Sequence, residues 1–347
     1  MGVTIKEVAK AAGVAPSTVS RVIADNPRIS PATKKRVRKA MKELGYHPNV
    51  NARSLVRSST QSIGVVMPSS ADKALQNPFF PEVLRGISAV AHNLEYSLLL
   101  STGETEEEIL EGVQRMVYGT RVDGVILLYS RLKDKVMEFL YEQNFPFVIV
   151  GKPNENTDTI SHVDNDNIRA SREITEHLIE LGHRCIGFIG GSKDLAVTVD
   201  RMTGYKEALK KAGLQAKKEY RFHTEFLKSG GRKAVHELFS LPEPPTGLVI
   251  SDDLMSIGVI NMLEEFGLYV PEDVSIVSFN NVYMAEVTRP PLTTVDINIY
   301  ELGAQASKCL IEKIQNKNEP AKRIIVPFEI KHRLSTQPLN EETSKRA

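Results

Sequence analysis

Apolar residues at the start of the chain recur at helical spacing. Ile5, Val8, Ala9 and Ala12 stand at i, i+3, i+4 and i+7, one face of a helix that Gly13 ends. A second short helix is predicted from about Pro16 to Ile23. It buries Val19, Val22 and Ile23 and shows Ser17, Ser20, Arg21 and Ala24 on its other face. The third has Ser30 as N-cap, Pro31 at its first position and Gly45 just past its end. Its pattern turns Thr33, Val37, Ala40, Met41 and Leu44 inward and Lys34, Lys35, Arg38, Lys39 and Lys42 outward. Two short helices around a glycine turn make a helix-turn-helix, whose second helix is built to enter the major groove of DNA. The competing reading is a solvated three-helix bundle whose charges only keep it soluble.

From residue 62 the pattern changes to short apolar runs: Ile63–Met67, Ser97–Leu100, Val125–Tyr129, Phe147–Val150, Ile186–Ile189, Leu248–Ile250 and Ser275–Phe279. Helix-length segments such as Pro81–Asn93, Asn167–Leu181 and Ser256–Phe266 separate most of them. Buried strands alternating with helices predict a doubly wound α/β architecture, and about 270 residues of it predict two lobes. The lobe boundary is expected near Ser161, with returns around Pro291–Asn298 and Lys317–Arg323. That gives a head over 1–48, a hinge and linker over 49–60, and a body over 61–335. The first lobe takes about 61–161 and 293–319, the second about 162–290 and 322–335. Residues 336–347 read as a polar tail.

Charge sharpens the division. The first sixty residues hold twelve Lys and Arg against three Asp and Glu, a formal +9, whereas the whole chain is +1, so the remainder carries −8. A small basic module attracts phosphate through counterion release, and an acidic body does not. With 41% apolar and 25% charged residues the 347-residue chain is ordinary for a globular protein. No apolar run approaches the ~20 residues of a membrane span, and the opening Met-Gly-Val-Thr-Ile-Lys lacks an apolar signal region, so a cytoplasmic location is expected. Cys185 and Cys309 are too few for a disulfide framework.

The head residues carry a resemblance. Thr4-Ile5-Lys6-Glu7-Val8-Ala9-Lys10-Ala11-Ala12-Gly13-Val14, then Ser17-Thr18-Val19-Ser20-Arg21-Val22, then Gly45-Tyr46-His47-Pro48-Asn49 and Ala52-Arg53-Ser54-Leu55 resemble the LacI-type bacterial transcriptional regulators. Ala15 departs from the pattern, standing where the family usually places a serine N-cap; Pro16 offsets part of that loss, worth ~1 kcal/mol. The resemblance implies DNA contacts at Thr4, Pro16, Ser17, Thr18, Ser20 and Arg21. It also implies a hinge helix that folds only on operator DNA, pairing with a second subunit. Leu55 would wedge into the minor groove there, beside Asn49, Ala52 and Arg53. Paired hinges imply a homodimer on a near-palindromic site, and the tail shows no leucine heptads for a tetramer. The body is similar to the periplasmic-binding-protein type I fold, which the family uses as its sensor. The full fold class is thus an α-helical helix-turn-helix head plus a two-lobed α/β sensor.

Ligands of open α/β sheets sit outside the carboxyl ends of strands. Those ends supply Pro68-Ser69-Ser70, Asp164 to Asn167, Ser251-Asp252-Asp253 and Asn280-Asn281, with Asn77-Pro78-Phe79-Phe80 in the first loop. Arg201, in Asp-Arg-Met-Thr-Gly-Tyr, matches the family arginine that commonly contacts effector. Planar polar groups with an aromatic platform suit a sugar. The effector set is therefore Ser69, Asn77, Phe79, Phe80, Asn167, Arg201, Asp252 and Asn280, with Asp253 read instead as the cap of a helix starting near Leu254. Asn280 stands where the family often has Asp, which puts transfer of that family's effector chemistry in doubt. Within the family, Pro68-Ser69-Ser70 and Asn77 to Ile87 look like the maltose-operon repressor subgroup. The alternative is a global carbon-catabolite regulator controlled by a phosphorylated carrier protein. A transport binding protein would lack the head. An enzyme would need a catalytic constellation, but His162, His177 and His183 form no metal spacing with the cysteines, and Gly187–Gly191 is not a phosphate loop. No cofactor, metal or membrane partner is expected.

Overall fold

The structure is a computed structural model that describes residues 3–46, 59–316 and 318–339. The chain divides into two compact units at Gln61–Ser62. In the head, α1 (Ile5–Ala12), α2 (Pro16–Ile23) and α3 (Pro31–Leu44) pack around Val8, Ala9, Ala12, Val19, Val22, Val37 and Ala40. Gly13 and Gly45 close their helices at φ +61° and +64°, a left-handed conformation that glycine adopts without a Cβ penalty. Leu44, expected inside, is 37% exposed because it lies in the last turn of α3, away from that buried cluster.

The body holds two six-stranded sheets. The strands in chain order are β1 (Ser62–Val66), β2 (Ser97–Ser101), β3 (Gly124–Leu127), β4 (Phe147–Val150), β5 (His162–Asp164), β6 (Ile186–Gly190), β7 (Arg221–His223), β8 (Gly247–Ile250), β9 (Ser275–Phe279), β10 (Thr293–Asp296), β11 (Arg323–Ile325) and β12 (Glu329–Lys331). One sheet runs β11-β5-β4-β3-β1-β2, all parallel. The other runs β12-β10-β9-β8-β6-β7, parallel except for the antiparallel β12. Gly-Val-Ile-Leu in β3 and Phe-Val-Ile-Val in β4 are buried throughout, as central parallel strands covered on both faces should be.

Strand pairing moves the lobe boundaries. His162–Asp164 pairs in the first sheet, so the chain crosses after Asp164 and not at Ser161. Thr293–Asp296 belongs to the second sheet, which puts that crossing at residues 297–298, the far end of the expected Pro291–Asn298 stretch, and Arg323–Ile325 belongs to the first, which shifts the last crossing to residues 326–328. These strands of three or four residues are too short, and Thr-Thr-Val-Asp too polar, to announce themselves as apolar runs.

Helix pairs then set the site in place. A Cβ at Gly86 would meet the Tyr300 carbonyl oxygen at 2.0 Å, and one at Gly303 the Val83 oxygen at 2.2 Å, so the helices Phe79–Asn93 and Ile299–Gln315 touch backbone to backbone. Gly204 does the same for Asn167–Glu180 and Ala196–Lys211, with the Ile168 oxygen 2.1 Å from its missing Cβ. That contact brings Asn167 alongside Arg201.

Candidate functional site

The carboxyl ends of β1, β3, β4, β5, β8 and β9 surround one cavity of about 130 Å³, where Pro68, Tyr129, Gly151, Asp164, Ser251 and Asn280 meet. Seven of the eight expected effector residues line it: Asn77, Phe79, Phe80, Asn167, Arg201, Asp252 and Asn280. Ser69 does not. It borders an adjoining space at the mouth, because the chain has already left β1 and turns outward into the short helix Ala71–Gln76.

Arg201 is the anchor. Only 4% exposed, it donates from Nε to Asn167 Oδ1 at 3.0 Å and from Nη1 to the Ser251 carbonyl oxygen at 2.6 Å, and its guanidinium lies 4.1 Å from the Phe279 ring centre. Burial lowers its pKa to about 10 against the opposing pull of Asp252 and Asp164. Asn167 in turn donates to Asp164 Oδ1 at 3.0 Å. Burial pushes the Asp164 carboxyl up to about 7. Two of the five guanidinium donors are thus used inside the protein, leaving others for a guest.

Asp252 is more heavily engaged than the sequence implied. Oδ1 caps the helix Asp253–Glu265 by accepting from the Leu254 and Met255 amides at 2.8 and 3.2 Å. Oδ2 accepts from Asn77 Nδ2 at 2.9 Å and Asn280 Nδ2 at 2.8 Å. Burial pushes its carboxyl up to about 6. The cap assigned to Asp253 therefore belongs to Asp252. Asp253, fully buried, instead accepts from the Val282 amide and the Thr294 hydroxyl at 2.9 and 2.8 Å and ties the helix to the loop after β9 and to β10. The two adjacent acids differ because only the residue in the extended conformation, with φ −164° and ψ 138°, can fold its side chain back over the first turn. Asn280 sits at φ 108° and Asn281 at φ 53°, and asparagine is among the few residues besides glycine that tolerate that region.

Other walls carried no motif. Phe226, in the loop after β7, and Tyr129 and Ser130, just past β3, line the cavity with Leu195 and Val197. The strand-end rule reaches Tyr129, while nothing in the sequence singles out Phe226. Phe79 and Phe80 both face the cavity as an edge-to-face pair with centroids 5.2 Å apart. Ser251 Oγ is buried and has no hydrogen-bond partner among the described residues. The lobes are joined across the cavity. Asn77 Nδ2 also reaches the Phe226 carbonyl at 3.2 Å, Lys73 pairs with Glu225 at 2.8 Å, Arg131 pairs with Asp194, and the Ala196 amide donates to the Ser130 carbonyl at 3.0 Å.

In the head, Thr4 caps α1 in a closed box. Its amide and hydroxyl both donate to Glu7 Oε2, at 2.7 and 2.9 Å, so that hydroxyl is already in use. Pro16, Ser17 and Arg21 are exposed on α2, with Thr18 and Ser20 half-buried. Ala15 supplies no side-chain cap to α2. Lys34, expected outward, is half-buried and pairs with Asp25 at 3.0 Å, and Arg38 meets the same carboxylate at 2.7 Å. The Asp25 turn at φ 50° aims its side chain back at α3. Asn49, Ala52, Arg53 and Leu55 lie outside the described residues. Among the described residues no His, Cys, Asp and Glu cluster could hold a metal, and no helix is long and apolar enough to cross a membrane.

Residues 4–49 match the family description "Bacterial regulatory proteins, lacI family", and residues 175–336 match "Periplasmic binding protein-like domain". The chain is 46% identical to the HTH-type transcriptional regulator MalR of Streptococcus pneumoniae over 338 residues, 96% of this chain and 99% of that one. It belongs to the lacI family of bacterial transcriptional regulators. A solved relative, described as a putative transcriptional regulator LacI from Bacillus cereus subsp. cytotoxis, is 52% identical at a TM-score of 0.79, covering 80% of this chain and 99% of that one. The CelR–cellobiose complex is 32% identical at a TM-score of 0.75, covering 96% and 99%. The family head and the two-sheet sensor thus account for both units of this regulator.

Proposed function

We propose that this regulator is a cytoplasmic homodimeric repressor of sugar-utilisation genes, which binds a near-palindromic operator and releases it when maltose or a malto-oligosaccharide occupies the cavity. The observation that carries the effector reading is the cavity wall itself. Arg201 is held in place by Asn167 and Ser251, the carboxylate of Asp252 sits between two amides, and Phe79, Phe80 and Phe226 line the same space. Vicinal hydroxyls satisfy such planar groups in pairs, and sugar ring faces stack on aromatics. The names of relatives agree: MalR at 46% identity, and CelR in complex with cellobiose, a disaccharide.

The reading assigns the protein no reaction; it works by linkage. A sugar hydroxyl that reaches Asp252 Oδ2 must share it with, or take it from, Asn77 on the opposite lobe. Occupancy therefore changes the contacts that hold the lobes together, and through them the hinge segment 49–57. A coupling of about 1–3 kcal/mol gives a 5–150-fold change in operator affinity. The test is binding of a labelled palindromic operator, taken from upstream of a neighbouring sugar-use operon, with and without maltose and maltotriose. Release by sugar is expected. Tight binding that ignores both sugars rejects the maltose assignment and points to another effector or to a protein co-repressor.

A further inference from the structure

The cavity is not closed toward Ser69. A second compartment of about 510 Å³ adjoins it and shares five of its walls, Pro68, Asn77, Phe80, Leu195 and Phe226. The two differ in size and in chemistry. The inner space, at about 130 Å³, has room for roughly four waters at liquid density, so it takes no more than one sugar unit. The outer space is about four times larger. Its walls add Lys73, Glu104, Arg131, Ser192 and Glu225, hydrogen-bonding side chains drawn from both lobes. Lys73 and Glu225 are each more than half exposed, so their pairing is worth little and yields readily to ligand hydroxyls.

From this geometry we infer that the effector site is built for an oligosaccharide of three or more units and takes maltose as a shorter, weaker ligand. One terminal unit is held in the inner cavity by Arg201 and the Phe79–Phe80 pair. The following units lie in the outer compartment between Phe80 and Phe226 and among the charged side chains of its rim. The inference rests on the sugar-effector reading and adds the length of the ligand to it. Chain-length selectivity then comes from residues outside the inner ring of contacts, so a monosaccharide fills only the smaller part of the site.

The experiment is isothermal titration of the full chain with maltose, maltotriose and maltotetraose, repeated on Ser192→Tyr, a substitution at an exposed position that narrows the outer compartment. Maltotriose is expected to bind roughly tenfold more tightly than maltose, and Ser192→Tyr to shrink that ratio by weakening the longer sugars more. Equal affinities for maltose and maltotriose in the unaltered protein overturn the length assignment while leaving the sugar reading intact. An undiminished ratio in Ser192→Tyr overturns the placement of the outer units. Failure of every maltodextrin to bind overturns both readings together.

Discussion

The head and the sensor cavity present their functional groups in opposite ways. On α2, Pro16, Ser17 and Arg21 stand exposed within six residues of chain, on a helix of eight residues. In the body, the polar groups around Arg201 come from positions 77 to 280, each of Asn77, Asn167, Arg201, Asp252 and Asn280 is buried, and every one is held by another. The difference follows from the partners proposed. Phosphate is attracted by exposed, solvated cations, and that attraction is screened by salt. A neutral sugar offers no such pull, so discrimination depends on pre-ordered groups from which water is excluded. Order of that kind raises the energetic stake of each residue, because removing one leaves its neighbours buried and unpaired.

The comparison is broken most directly by paired substitutions. Arg201→Ala is expected to abolish sugar-induced release, shifting effector affinity by 100-fold or more, on the order of 3 kcal/mol, while the operator affinity of the sugar-free protein stays within a few-fold. Arg21→Ala should do the reverse: operator binding falls by about 1–3 kcal/mol and sugar binding by titration is unchanged. If either variant disturbs both activities equally, the division of labour between the units is wrong.

A sharper probe uses Asp164, whose carboxyl burial holds at about 7 in the folded protein against an ordinary value of 3.8. Because the folded value is raised, its contribution to stability is fully present below pH 3.8 and is lost as pH rises through about 7. Asp164→Asn removes that loss and keeps an acceptor for Asn167. Thermal unfolding should therefore show the variant gaining on the unaltered protein between pH 5 and pH 8, by on the order of 2–4 kcal/mol. A stability difference that is flat with pH contradicts the burial argument. The smallest effect belongs to the head. Ala15 already has the extended φ −70°, ψ 151° of a cap but no side-chain acceptor, so Ala15→Ser should stabilise the head by about 0.5–1 kcal/mol in denaturant unfolding.

Much of this molecule was legible in one dimension. The three head helices and the Ser30 and Gly45 punctuation are local patterns, and local patterns survive without knowledge of neighbours. The central strands were legible because parallel strands buried on both faces read as unbroken apolar runs. The rule that ligands meet strand ends led to Asn167, Asp252 and Asn280 and, through the first loop, to Asn77, Phe79 and Phe80, whereas Arg201 came from the family resemblance; all seven line the one cavity. The failures share a cause. The strands His162–Asp164, Thr293–Asp296 and Arg323–Ile325 are identified by pairing partners far away in sequence, as is the sheet each belongs to.

The sequence by itself determined the three head helices and the central apolar strands, where the basic module ends, and that polar residues gather at strand ends, since periodicity, charge and spacing are properties of neighbours along the chain. Only the tertiary structure decided which of two adjacent aspartates caps a helix and which braces a loop, that Phe226 joins the cavity, that Ser69 is left at its mouth, and that Lys34 turns toward Asp25. Each of those depends on a backbone angle or on a contact made across many residues, and a hydrogen bond between Asn77 and Asp252 leaves no trace in the order of the 174 residues that separate them.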